Sequence, residues 1–189
     1  MRLIILDRDG VINEDSDEFI KSPDEWIPIP GSLEAIARLT RTKYRIVVAT
    51  NQSGLGRGLL DVNMLARIHE KMHRKLGEVG GRVDAIFFCP HTPDDHCECR
   101  KPKPGLLRDI ANRLYVDLND VPAIGDSLRD IQAAKAVGAR PMLVRTGKGQ
   151  ATVEKGTGLK GVPVYDDLAA AVDALIMDDT SAALQPITG

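Results

Sequence analysis

Short apolar runs alternate along the chain with longer amphipathic stretches, and that alternation sets the expected architecture. Leu3-Ile4-Ile5-Leu6 is a four-residue run that reads as a strand buried on both faces of a parallel sheet. Arg45 to Ala49, Asp84 to Phe88, Val121 to Gly125 and Pro141 to Val144 read the same way, with a shorter sixth strand at Val162 to Tyr165. Helical patterns lie between them. One opens at Pro30-Gly31-Ser32 and carries Leu33, Ile36, Ala37 and Leu39 on one face. A longer one begins at Asp61, runs through Leu65, Ile68, Met72 and Leu76, and closes at Gly80-Gly81. Others follow at Pro104-Gly105 through Leu114, at Leu128 to Val137 and at Leu168 to Ile176. Strands alternating with helices predict an α/β fold of three layers, a Rossmann-like parallel sheet with helices on both faces.

Two polar stretches break the pattern. Glu14 to Pro30 is long for a connector and reads as a functional loop or a small flap over the strand ends. Thr92 to Lys103 is irregular as well. Residues 178–189 carry no motif and read as a tail. The chain of 189 residues is long enough for one core and too short to assume two, so a single domain over 1–189 is expected.

A net charge of −2 leaves no basic excess for nucleic acid, so a phosphorylated substrate must be held by local positive charge. No apolar run approaches the ~20 residues that span a bilayer. Met1-Arg2 leads straight into the first strand with no room for a secretory signal, and the expectation is a cytoplasmic protein with neither a nucleic-acid nor a membrane partner.

Right-handed crossovers bring the C-terminal ends of parallel strands to one edge, where open α/β sheets bind ligands. Asp7, Thr50 and Asp126 each follow directly on an expected strand, and Asp9 stands two residues after Asp7. Singly, Asp-Arg-Asp-Gly is an ordinary strand exit and Thr50 an ordinary helix cap. Together, converging carboxylates make a site for a hard, oxygen-loving cation, and for phosphate chemistry Mg²⁺ is the usual choice.

All three cysteines sit in Cys89-x-His91, five residues, then Cys97-x-Cys99. A disulfide or idle thiols are the plainer reading, but three sulfurs and an imidazole match a closed tetrahedral Zn²⁺ site. His96 is an alternative fourth ligand. Such a structural zinc would fasten the loop at about 89–103 and aim Arg100 and Lys101, which follow Cys99, toward Asp7.

Asp7-x-Asp9-Gly10, Thr50-Asn51-Gln52, Lys101 and Gly125-Asp126-Ser127-x-x-Asp130, in that order, resemble the four motifs of the haloacid dehalogenase superfamily of phosphatases. Asp-Arg-Asp-Gly, Thr-Asn-Gln-Ser-Gly, Cys-Pro-His and Cys-x-Cys-Arg-Lys-Pro-x-Pro-Gly are similar to its sugar bisphosphate phosphatases, with histidinol-phosphatase the relative of next closest motifs. The likeness covers roughly residues 1 to 150.

The resemblance implies a fold without a large cap domain and an aspartyl-phosphate mechanism on a phosphorylated sugar. Asp7 would attack phosphorus, and Asp9 would act as acid and then base, its pKa raised by neighbouring carboxylates. Mg²⁺ would be held by Asp7, the Asp9 backbone carbonyl and Asp126, with Asp130 orienting that set. Thr50 and Lys101 would hold the phosphoryl oxygens, Lys101 being preferred to Lys103 on the family's Arg-Lys-Pro. Arg100 would reach the distant phosphate. Sugar hydroxyls would meet Asp15, Ser16, Asp17 and Glu18, with Asn51, Gln52 and Ser53 along the pocket. Ser127 stands where the family usually has a lysine after the last motif's aspartate, so the resemblance assigns no phosphate contact to that position. Without a cap, closure would fall to loops 14–30 and 89–103, and the open site is consistent with a monomer. The competing expectations are a histidinol-phosphatase and a non-catalytic, zinc-stapled binding module.

Overall fold

The computed structural model describes residues 2–183. Six strands form one parallel sheet: β1 (Arg2–Leu6), β2 (Tyr44–Asn51), β3 (Ala85–Cys89), β4 (Pro122–Gly125), β5 (Arg140–Val144) and β6 (Val164–Tyr165), in the order β3-β2-β1-β4-β5-β6. The helices are α1 (Ser32–Thr40), α2 (Ser53–Gly56), α3 (Val62–Glu78), α4 (Gly105–Leu114), α5 (Leu128–Lys135), α6 (Gly149–Lys155) and α7 (Leu168–Ala183).

Successive side chains of a strand face opposite sides, so β1 serves both layers at once. Ile4 and Leu6 join the core formed with Ile36 and Leu39 of α1, Ile68 and Met72 of α3 and Val172 of α7. Leu3 and Ile5 face the second core, against Leu107 and Ile110 of α4 and Ala133 and Ala134 of α5. After the exposed Arg2, β1 is buried on both faces and has no room for a polar residue until it ends, and the first one there is Asp7. Because β2 lies on one side of β1 and β4 on the other, the strand order reverses at this point. The two chains leaving β1 and β4 part there and open a crevice.

The loop of residues 14–30 is anchored rather than loose. Trp26 is fully buried in the first core, and Lys71 of α3 donates from Nζ to the carbonyls of Pro23 (2.6 Å) and Trp26 (2.9 Å).

One expectation is corrected, and two short helices carry no pattern that announces them. Residues 178–183 continue α7 instead of forming a tail, and Asp179 pairs with Arg2 at the start of β1; 184–189 lie outside the described residues. The helix α6 was not foreseen, because its only large apolar residue is Val153 and it shows no stripe. The one-turn α2 also escaped, being too short to show a period.

Candidate active site

Four segments meet beyond the C-terminal ends of β1, β2 and β4. Asp7 leaves β1, Asp126 leaves β4, and Asp130 lies in the first turn of α5, where its carboxylate and Ser127 cap the helix reciprocally. One oxygen from each of Asp7, Asp126 and Asp130 can be chosen so that all three lie within 4.8 Å of one another. Lys101 enters from the loop after β3 and is 5% exposed. Its Nζ lies 3.1 Å from Asp7 Oδ2, pairs also with Asp130 Oδ1, and donates to the Ala49 carbonyl at 2.8 Å. Asn51 holds the backbone of Lys101 from both sides: Oδ1 accepts from its N–H and Nδ2 donates to its carbonyl, both at 3.1 Å.

Three carboxylates against one ammonium leave two negative charges uncompensated in a buried place. The titration behaviour registers this. Burial pushes Asp7 well above the usual carboxylate range, Lys101 opposes it, and Asp130, Asp126 and Asp9 add to it. Burial, then Asp130, pushes Asp126 up to about 7. Burial works on Asp130 too, but Lys101 and Ser127 outweigh it and hold that acid low. The missing charge is that of one divalent cation, and the donors are the hard oxygens that Mg²⁺ takes, so the residues fit the ion. Asp130 thus stands among the candidate ligands, a place closer than the orienting one expected of it.

The space around Asp126 is tight. Gly10 (φ +80°) and Gly147 (φ +56°) both pack on its carboxylate; a Cβ at either would fall 2.1 or 2.3 Å from Asp126 Oδ2. Lys148 donates its backbone N–H to that same oxygen at 2.8 Å, and Thr146 donates to the Gly10 carbonyl at 2.7 Å.

Asp9 corrects an expectation. Its neighbours are a cation and two amides rather than carboxylates. Arg8, fully buried, donates from Nε (3.0 Å) and Nη2 (2.9 Å) to Oδ1. Asn13 donates to Oδ1 at 2.9 Å, and Gln52 to Oδ2 at 2.8 Å. Burial alone would raise Asp9, but Arg8, Asn13 and Gln52 prevail and its pKa lies below the ordinary value. Gln52 also donates to Thr50 Oγ1 at 2.9 Å, so this side chain bridges Asp9 to the end of β2.

A cavity of ≈ 310 Å³ opens over these groups. It takes in Asp7, Asp9, Thr50, Asn51, Gln52, Ser53, Arg100, Lys101, Asp126 and Ser127, and from the 14–30 loop Asp15, Ser16 and Asp17. Glu18 is not brought to it: the lining passes from Asp17 to Phe19, and Glu18 is exposed with its backbone N–H on Ser16 Oγ. Lys103 is also outside, paired with Glu98. Sequence reasoning missed three cationic linings, Arg57, Arg129 and Lys148. Arg57 stacks on Phe19 at 5.6 Å, and Lys148 Nζ lies 3.0 Å from Asp15. Burial and the like charges of Arg129 and Arg57 lower Arg100, which places three guanidinium groups in one field.

Beside the cavity, Cys89, His91, Cys97 and Cys99 form a second cluster. The sulfurs of Cys99 lie 3.2 Å from Cys89 and 3.5 Å from Cys97, Cys89 to Cys97 is 3.7 Å, and His91 Nδ1 is 3.3 Å from Cys99. No disulfide joins them. Burial, with the neighbouring thiol of Cys99, pushes Cys89 up to about 12. Three sulfurs and a ring nitrogen at one point fit a tetrahedral Zn²⁺. His96 is not in the group; its carbonyl accepts from Lys103 instead. Arg100 donates to the His91 carbonyl at 3.2 Å, so the cluster and the cavity share a wall.

Two family models match this chain: a polynucleotide kinase 3 phosphatase model over residues 2–132 and a HAD-hydrolase-like model over residues 98–171. It is 61% identical over 178 residues to D-glycero-beta-D-manno-heptose-1,7-bisphosphate 7-phosphatase of Bordetella bronchiseptica, covering 94% of this chain and 99% of that one. Identity to the enzyme of the same name in Pseudomonas aeruginosa is 52% over 174 residues, covering 92% and 97%. A solved structure of the B. bronchiseptica D,D-heptose 1,7-bisphosphate phosphatase, complexed with magnesium and phosphate, superposes with a TM-score of 0.92 over 94% of this chain and 99% of that chain. On its fold, on the order of its motifs and on this degree of identity, the chain belongs to the D-glycero-beta-D-manno-heptose-1,7-bisphosphate 7-phosphatase family of HAD-like phosphatases.

Proposed function

We propose that this chain removes the 7-phosphate of D-glycero-beta-D-manno-heptose 1,7-bisphosphate, with Mg²⁺ bound, in the supply of ADP-heptose for lipopolysaccharide core. The observation that carries the reading is the convergence of Asp7, Asp126 and Asp130 around Lys101 at the strand-order reversal. Asp7, held by Lys101 on Oδ2 and by the Arg8 N–H (2.7 Å) on Oδ1, attacks phosphorus and forms an aspartyl phosphate. Asp9 protonates the departing C7 oxygen and, in the second half, takes a proton from the attacking water. Its depressed pKa in the free protein means that it must gain its proton as the substrate phosphate enters, since an approaching anion raises a neighbouring acid. Thr50 and Lys101 hold the phosphoryl oxygens. Bound at Asp7, Asp126 and Asp130, or at the first two with the Asp9 carbonyl, Mg²⁺ supplies charge neutralisation for the transferring group.

The second phosphate of the substrate distinguishes it from histidinol phosphate. Arg57, Arg100 and Arg129 give the cavity the positive charge that a distal phosphate needs and that an ammonium would avoid. Asp15 and Asp17 serve the sugar hydroxyls between. Cys89, His91, Cys97 and Cys99 hold a structural Zn²⁺ that keeps Arg100 and Lys101 in place. The protein works as one domain and as a monomer in the cytoplasm; among the described residues no helix is long and apolar enough to cross a membrane.

Phosphate release from the heptose bisphosphate and from histidinol phosphate, with and without Mg²⁺, tests the reading. Wild type should release one equivalent from the bisphosphate only with Mg²⁺, and Asp7→Asn should lose on the order of 10⁴-fold or more of that rate. No release from the bisphosphate, or equal release by Asp7→Asn, overturns it.

A further inference from the structure

Behind the cavity, a histidine on α3 touches the machinery without facing substrate. His69 Nε2 lies 3.1 Å from Nη1 of Arg8, the fully buried guanidinium that grips Asp9. A guanidinium only donates, so Nε2 of His69 must be the acceptor, and the ring must be neutral with its proton on Nδ1. Arg8 is then held at three places: Asp9 takes Nε and Nη2, Gln52 Oε1 takes Nη2 at 3.2 Å, and His69 takes Nη1. Without His69, a donor of Arg8 would be left unsatisfied in a dry place, and the fork would turn to find another partner. Turning it would carry the Asp9 carboxylate with it.

We propose that His69 is a positioning residue for the acid–base step: as the neutral acceptor of Arg8, it fixes the angle at which Asp9 meets the departing oxygen and the attacking water. This inference rests on the assignment of Asp9 as acid and base. Nearby groups keep the ring neutral: burial, the positive charge of Arg8 and the adjacent His73 all oppose a second proton on His69, with Asp9 alone favouring it. The residue carries no motif and lies outside the cavity lining, so neither sequence pattern nor pocket shape points to it.

The test compares two substrates at the level of kcat/KM, which reports events up to departure of the leaving group. A sugar phosphate needs its leaving oxygen protonated; p-nitrophenyl phosphate does not, because nitrophenolate departs as an anion. His69→Leu, which cannot accept, should lose roughly tenfold in kcat/KM on the heptose bisphosphate and about twofold or less on p-nitrophenyl phosphate. His69→Gln, whose amide oxygen can accept from Arg8, should recover most of the loss. If His69→Leu fails to fold, as judged by its thermal melt, His69→Met takes its place. Wild-type kcat/KM on both substrates in the apolar variant, an equal loss on both, or no recovery in His69→Gln overturns the inference. Asp9→Asn is measured alongside: if it retains activity on the bisphosphate, the assignment of Asp9 itself has failed, independently of what His69 does.

Discussion

The two clusters of ligand-type residues in this molecule are built in opposite ways. Cys89, His91, Cys97 and Cys99 come from eleven consecutive positions of one loop, whereas Asp7, Asp126 and Asp130 come from segments more than a hundred residues apart and meet only because the sheet is complete. The first can organise a loop that has little core of its own; the second presupposes the core and can be aimed to fractions of an ångström by it. The charge balance differs in the same sense. The acidic cluster already contains a buried cation, Lys101, and still lacks two positive charges, which a divalent cation supplies and without which an incoming phosphate would be repelled. The cysteine cluster has no resident cation among its four donors. The difference implies that damage to the acidic cluster should always reach the chemistry and the bound Mg²⁺, whereas damage to the cysteine cluster should fall on stability and substrate grip and leave the Mg²⁺ dependence intact.

The largest effect that would break this contrast is expected at Lys101. In Lys101→Met the buried carboxylates lose their partner, which should destabilise the free protein by ~3 kcal/mol and lower kcat by about 10³-fold. Chemical denaturation and steady-state kinetics check both, and a variant with wild-type kcat would remove Lys101 from the chemistry. Next comes Gly147→Ala, whose new Cβ would meet Asp126 Oδ2 and the Gly10 Cα on a backbone with φ +56°. Displacing that carboxylate should weaken Mg²⁺ binding by roughly tenfold or more, read as the Mg²⁺ concentration that gives half-maximal rate. The smallest catalytic effect is expected at Cys97→Ser: KM for the bisphosphate rising by about threefold to tenfold, the melting temperature falling by roughly 5 °C, and Mg²⁺ dependence unchanged. A shift in Mg²⁺ dependence there would show that the two clusters are not separable.

Much of this contrast was legible in the sequence, for a physical reason. Residues that directly end a doubly buried strand have their position dictated by the strand, so Asp7, Thr50 and Asp126 were found by pattern. The cysteine cluster was found because its members are neighbours in the chain. Arg57, Arg129 and Lys148 were not found, since each reaches the cavity from a short helix or loop whose direction only the packed structure sets. The state of Asp9 was misjudged for a related reason. Sequence places Arg8 next to Asp9 but cannot say that the guanidinium folds back onto its own neighbour and, with Asn13 and Gln52, outweighs the effect of burial. Burial raises both Asp7 and Asp9, two residues apart, but at Asp7 the neighbouring carboxylates add to it against Lys101 alone, whereas at Asp9 the Arg8 guanidinium, Asn13 and Gln52 outweigh it, so the two acids of one short segment are shifted in opposite directions.

The most direct test of the acidic cluster is a calorimetric titration of Mg²⁺ into the full chain and into Asp126→Ala. The account predicts one equivalent bound by the wild-type protein at its catalytic Mg²⁺ concentration and no binding in that range by the variant. One equivalent bound by Asp126→Ala with unchanged affinity would contradict it.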